Sequence, residues 1–256
     1  QASIAHVQML GQIEILTEKE TQALVGVLNE IKTEAENGKF LIEDSFEDMH
    51  SKIEFILTQK LGDLGKKIHT ARSRNDQVLV SIHLYLKEEI SEIKSLINDF
   101  FKLLISLAKK NKDKLLPGYT HFQVAMPSSF GLWFSAYAES LIDDVTLFNA
   151  VQKIVDQNPL GSAAGFGSSF PINRETTTKA LDFGDLKYNV IAAQMSRGKA
   201  EKLISNAIAS LSATLAKMAY DICLYMGQDH NFISFPEKLT TGSSIMPHKK
   251  NPDVFE

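Results

Sequence analysis

Cysteine is nearly missing from this sequence. Cys223 stands alone, which excludes an intramolecular disulfide and a cysteine-based zinc site and suits a reducing cytoplasm. Proline is scarce and late: all 7 prolines lie at Pro117 or beyond, and residues 66–116 hold neither proline nor glycine, so nothing there breaks a helix. There is no excess of positive charge. With 27 Lys and Arg against 31 Asp and Glu, the net charge of −4 gives no footprint for nucleic acid or an anionic membrane. Long apolar runs are also wanting; the densest, residues 100–108, is interrupted by Lys102 and is shorter than the roughly 18–20 residues of a membrane helix. The chain opens on Gln1 without a basic-then-apolar leader and stops at Glu256 without a polar tail, so the expectation is a protein that continues past both ends.

What is present is an ordinary folding composition. At 256 residues, 44% hydrophobic and 23% charged, the chain is long enough for a sizeable core in one or two domains and too apolar for disorder. Ile82, Leu86, Ile90, Ile93, Ile97, Phe101, Leu104 and Ala108 recur at steps of three and four, the period of one buried helical stripe. Glu88, Glu92, Ser95 and Asp99 fall opposite it. A helix of about 30–35 residues is about 50 Å long, more than a compact domain of this size uses, so the pattern predicts bundle helices shared between subunits. Residues 132–158 and 199–226 repeat it, and the second mixes small and large residues suited to close helix packing. Thr17-x-x-Glu20 reads as a capping box opening a helix that ends near Asn37-Gly38, and residues 46–61 as a shorter helix. With no strand alternation, low-complexity tract or internal repeat, the fold class is all-α.

Polar loops separate these helices at residues 62–77, 117–127 and 239–253, with a Gly/Ser-rich fourth at 159–171. Such loops on helical scaffolds are where function concentrates. The last holds Gly242, Ser243, Lys249 and Asn251: a hydroxyl, a cation and a neutral amide, a set that grips a carboxylate while a proton is removed beside it. Taken alone, Gly-Ser-Ser reads as a solvated turn; the lysine and asparagine beside it change that reading. The Gly/Ser-rich segment is not a phosphate loop, because no Gly-Lys-Ser/Thr follows and Phe170 replaces the last glycine of a dinucleotide pattern; it reads as a structural segment of tight turns.

The run from Thr240 to Asp253, Thr-Thr-Gly-Ser-Ser-Ile-Met-Pro-His-Lys-Lys-Asn-Pro-Asp, closely resembles the signature of the fumarase/aspartase superfamily. Gly118-Tyr119-Thr120-His121-Phe122-Gln123 followed by Pro127 resembles the second conserved region of that superfamily, and His69-Thr70-Ala71-Arg72-Ser73-Arg74-Asn75-Asp76-Gln77 the first. The spelling of that first block, with Lys250 and Asp253, is similar to the argininosuccinate lyase and delta-crystallin branch. The resemblance covers nearly the whole chain. It implies an all-α long-helix bundle of the fumarase/aspartase type whose central helices form a homotetramer core, with active sites shared by three subunits. Residues 1–73 would be the remainder of an N-terminal helical domain and residues 74–256 a central helical-bundle domain truncated at its C-terminal side. The implied reaction is anti β-elimination of L-argininosuccinate to L-arginine and fumarate in arginine biosynthesis. It uses a small dicarboxylate substrate and no metal or organic cofactor, in the cytoplasm, without nucleic acid or membrane.

By this resemblance Ser243 matches the serine that removes the Cβ proton, and Lys249 and Asn251 match the residues that bind the adjacent carboxylate and stabilise the aci-carboxylate intermediate. A serine hydroxyl is a poor base at neutral pH and needs positive charge and N–H donors to act as an alkoxide. His121 matches the histidine that protonates the departing nitrogen, with Glu256 as its orienting partner. The opposite assignment of acid and base stays open, with Ser243 favoured as base. Asn75, Ser73 and Thr120 match positions that hydrogen-bond substrate. Arg72 and Arg74 sit where planar bidentate donors hold a dicarboxylate, and the alternative for both is a structural ion pair. Gln123 either binds or supports its loop.

His6, His69, His83 and His230 show no metal spacing and read as surface or packed residues; His50 is a second-tier site candidate, and Trp133 reads as core. His248, Met126 and Gly198 depart from the usual spelling of the branch, which bears on substrate detail and not on elimination chemistry. Two rivals remain. One is another lyase of the superfamily such as adenylosuccinate lyase, against which the Arg72–Asp76 block speaks. The other is a non-catalytic structural paralogue, against which the retained catalytic-type residues speak.

Overall fold

A computed structural model describes residues 1–256. Its helices are α1 Ala2–Gln12, α2 Glu18–Glu36, α3 Met49–Leu61, α4 Asp63–Lys66, α5 Arg74–Lys110, α6 Phe130–Val155, α7 Arg174–Ala180, α8 Val190–Met195 and α9 Lys199–Met226. The capping box exists as spelled: the Thr17 side chain accepts the Glu20 N–H at 3.3 Å, and the Glu20 carboxylate accepts the Thr17 N–H at 2.9 Å. The helix it opens gives way at Asn37 to Gly38, which takes φ +69°. α5 runs 37 residues without a breaker. Leu86, Ile90, Ile97, Leu104 and Ala108 of its predicted stripe are buried, while Glu88, Glu92, Ser95 and Asp99 face solvent.

One expectation needs correction. The sequence shows no strand alternation, yet the structure contains three small ladders: β1 Leu115–Thr120 with β2 Gln123–Ser129, antiparallel; β3 Gln157–Asn158 with β4 Asp185–Leu186, parallel; and β5 Thr241–Gly242 with β6 Lys250–Asn251, antiparallel. The reason is burial. Period-2 patterning arises only when one strand face is covered, and residues 120–127 are all exposed.

The chain divides into two compact units, residues 1–90 with 151–202 and residues 91–150 with 203–256. In the first, α1, α2 and α3 pack through Val7, Leu10, Leu24, Leu28 and Leu57. His6 lies within this unit as a packed residue, its Nε2 2.9 Å from the Thr70 carbonyl, and burial pushes its pKa down to about 3. In the second, the buried residues include Leu104, Leu141, Phe148 and Ala207. Polar links join α6 to α9: the Trp133 indole and the Tyr137 hydroxyl both donate to Asp221, at 2.9 and 2.6 Å, and Ser210 donates to Asp144 at 2.8 Å. By length and composition alone α9 would cross a membrane. Only 17% of its apolar window is buried within this chain, and Ser210 and Asp221 on it are hydrogen-bonded to α6.

Candidate active site

The first motif begins α5. Ser73 stands just before the helix, where its hydroxyl accepts the Asn75 N–H at 3.2 Å and its own N–H donates to Asp76 at 3.0 Å, a reciprocal cap that satisfies two orphan donors. Asp76 is fully buried, and its second oxygen accepts the backbone N–H groups of Gly161 and Ala163, each at 3.0 Å. The Gly/Ser-rich loop thus closes around a carboxylate of the chain itself. Gly161 adopts φ +86°, and a Cβ there would come within 2.8 Å of the Arg174 side chain, so only glycine fits.

The two arginines part company. Arg74 donates to Asp48 at 2.9 Å and to Ser51 at 3.2 Å, and Asp48 is also the N-cap of α3. Arg72 donates to Ser3 at 3.2 Å, while its Nε and Nη2 are buried without a partner. Burial lowers its pKa to about 10. The Asn75 side chain is exposed beside them. His69 pairs with Glu54 at 2.6 Å, and burial pushes the His50 pKa down to about 4.

The second motif is a hairpin tip. Thr120 pairs with Gln123, leaving His121 and Phe122 as a two-residue turn at φ +51° and +60°. Positive φ at both central residues belongs to type I′ turns, which favour Asn-Gly. A phenylalanine held there is strained, and such strain clusters at functional positions. His121 lines a pocket of about 400 Å³ with Tyr119, Asp221, Tyr225 and His230. Glu256 is not brought to His121 by any hydrogen bond within the chain; its charge is felt at Cys223, whose thiol pKa is raised by burial first and by Glu256 second.

The third motif is a loop tied at its base. Thr241 pairs with Asn251 and Gly242 with Lys250. Asp253 accepts the Thr241 N–H at 3.1 Å and also its hydroxyl, and the Asn251 amide donates to Thr241 at 3.3 Å. Lys250 is held by Glu237 at 3.0 Å. Ser243 follows Gly242 and Lys249 precedes Lys250, so both flank the last pair of this ladder where the loop opens. The Ser243 hydroxyl accepts the Met246 N–H at 3.2 Å, a donor of the kind that stabilises an alkoxide. A serine oxygen receiving an N–H, on a loop that also carries Lys249 beside the same ladder, brings together the types of group that bind a carboxylate whose neighbouring proton is to be removed.

Three of these groups carry roles beyond their motif spelling. Ser73-x-x-Asp76 has capping-box spacing, which is the signal for Asp76. Asp253, part of the branch spelling, ties the loop base. The ring cluster about Tyr119 carries no local signal, because its members are scattered along the chain.

A helical scaffold that presents these three motifs at helix and hairpin ends belongs to one class. The sequence profile of the family described as "Lyase" matches residues 1–256, and the chain belongs to that family. Curated relatives narrow the class. A protein named argininosuccinate lyase from Parabacteroides distasonis is 55% identical over 99% of this chain and 57% of its own length, and one from Stenotrophomonas maltophilia is 43% identical over 100% of this chain and 59% of its own length. The chain therefore spans somewhat over half the length of these relatives. Among solved structures, an EDDS lyase in complex with formate superposes with a TM-score of 0.90 at 25% identity, covering 99% of this chain and 50% of that one. A fumarate lyase:delta crystallin from Brucella melitensis, at a TM-score of 0.83 and 20% identity over 99% of this chain and 61% of that one, shares the fold.

Proposed function

We propose that the protein to which this chain belongs is an argininosuccinate lyase, cleaving L-argininosuccinate to L-arginine and fumarate. Ser243, as alkoxide, takes the Cβ proton. The electron pair moves onto the neighbouring carboxylate to give a dianionic aci-carboxylate, which Lys249 and Asn251 bind. Collapse of that intermediate breaks the C–N bond, and His121, oriented by Glu256, protonates the departing nitrogen. Asn75, Ser73, Thr120 and Arg72 hold the rest of the dicarboxylate; Arg74 holds the segment through Asp48. Removing one donor to the dianion is expected to cost about 10²- to 10³-fold in rate.

The observation that carries this reading is the loop tied at its base by the Thr241–Asn251 and Gly242–Lys250 pairs, with Ser243 and Lys249 flanking the tie, in a chain 55% identical to a named argininosuccinate lyase. The same reading places residues 1–73 in an N-terminal domain and residues 74–256 in a central bundle of a cytoplasmic homotetramer whose sites draw on three subunits. Supporting the assembly, α5, α6 and α9 present Leu96, Leu103, Leu132, Ile142, Ile208 and Leu215 as exposed apolar side chains. An active site shared between subunits also accounts for His121 and Glu256 not meeting within one chain.

The test is fumarate release, followed by ultraviolet absorbance, from the full-length protein given L-argininosuccinate or adenylosuccinate separately. Turnover of argininosuccinate alone is expected. Turnover of adenylosuccinate alone moves the substrate, and silence with both from a verified tetramer overturns the enzymatic reading.

A further inference from the structure

We propose that His230 is a positioning residue for His121, acting through the ring of Tyr119; this rests on the reading of His121 as the acid. From Thr120 through Pro127 every residue of the hairpin is exposed, so Tyr119 is the last side chain before the tip with a half-buried ring. Two residues beyond it, His121 is held in the left-handed region at φ +51°. Whatever fixes Tyr119 therefore fixes the aim of the imidazole.

Tyr119 is fixed by rings from the segment that follows α9. His230 meets it edge-on, with centroids 5.6 Å apart and planes at 62°, and Phe232 lies 6.4 Å away. His230 and Phe232 in turn stand edge to face at 5.4 Å and 84°. The segment is itself anchored: the His230 N–H donates to the Gly227 carbonyl at 3.1 Å, the Phe232 N–H to the Tyr225 carbonyl at 2.9 Å, and the Phe232 ring packs on Tyr225 at 5.7 Å. Tyr225 rests on Trp133 at 5.5 Å, and the Trp133 indole is hydrogen-bonded to Asp221. A rigid path of rings thus runs from the α6–α9 packing to the hairpin stem. It ends at a pocket wall that His121 and His230 share.

The clamp needs a ring edge at position 230 and makes no use of an imidazole proton. Edge-to-face packing depends on the quadrupole and shape of the ring, which phenylalanine also supplies.

The experiment uses the full-length protein, with His230→Ala, His230→Phe and His121→Asn compared by steady-state kinetics, thermal midpoint and sedimentation. His230→Ala is expected to lower kcat about 10- to 100-fold, the scale of a small misplacement of a reacting group, with KM within about 2-fold and assembly intact. His230→Phe is expected to restore most of kcat. Unchanged kcat in His230→Ala, or equal impairment in His230→Phe, overturns the proposal. If His230→Ala fails to assemble, Phe232→Leu opens the second wall of the same clamp, and an unchanged kcat there overturns it as well. Full turnover by His121→Asn removes the acid reading of His121 and this proposal with it, whereas an inactive His121→Asn beside a normal His230→Ala removes the proposal alone.

Discussion

Asp76 and Gly161, 85 residues apart in the sequence, are joined by a 3.0 Å hydrogen bond from the Gly161 N–H to the buried carboxylate. Through it the segment carrying Arg72, Ser73 and Asn75 and the Gly/Ser-rich loop are held as one piece. Both Arg72 and Arg174 also feel the Asp76 charge, which opposes the lowering of their pKa by burial.

Replacing that carboxylate tests how much the arrangement depends on it. Asp76→Asn leaves three converging N–H groups with one neutral acceptor oxygen and adds an amide N–H₂ among donors. Loss of about 3–5 kcal/mol is expected, the scale of removing one partner from a buried charged network. Urea unfolding should show a lower midpoint at an unchanged slope. A variant within about 0.5 kcal/mol of the parent would show that the loop is held by something else.

Ser243→Ala separates chemistry from structure. The Ser243 hydroxyl makes one hydrogen bond, to an exposed loop N–H, so its loss should move stability by no more than about 0.5 kcal/mol. Turnover of the full-length protein should fall by about 10³-fold or more, as expected for loss of the attacking base. Aggregation of the variant in sedimentation would count against a purely catalytic role.

Phe122 offers a test of the strained turn. It is 74% exposed and adopts φ +60°, which glycine occupies without cost. Phe122→Gly supplies the residue a type I′ turn prefers, and a gain of about 0.5–1 kcal/mol is expected in chemical unfolding. A loss instead would show that the Phe122 ring contributes packing.

His6 makes the first unit acid-labile. Its pKa falls from 6.5 unfolded to about 3 folded because burial disfavours the imidazolium. Between those values the unfolded chain binds a proton that the folded chain refuses, so the stabilisation is fully present above pH 6.5 and is lost as pH drops toward 3. The slope for one such group is up to about 1.4 kcal/mol per pH unit. His6→Gln keeps a donor toward the Thr70 carbonyl without the titration, and its unfolding free energy should fall less steeply between pH 6.5 and 4.5. Parallel curves for the two proteins would remove His6 from the acid response.

Local signals were legible where neighbours a few residues apart decide the conformation. The breaker-free window at residues 199–226 is the observed α9, and the Thr17-Glu20 box and the stripe of α5 stand where their spacing put them. The hairpin of β1 and β2 was not legible. Its tip is exposed on every residue, so no alternation marks it, and a His-Phe turn lacks the Asn-Gly signal. Arg74 could not be told from Arg72 by spelling, because the difference is a contact with Asp48, 26 residues away.

The long helices, the Thr17–Glu20 cap and the three motif loops can be read along the chain, since periodicity, capping and helix breakers act through bonds and contacts within about one or two turns. Which distant groups meet is settled by the fold: Asp76 accepts the N–H groups of the Gly/Ser-rich loop, Asp253 ties Thr241 at the base of the last loop, and Tyr119 packs against His230 and Phe232. Those are choices among distant partners, made by the requirement that buried polar groups be satisfied and rings be packed, and no spacing along the chain encodes them.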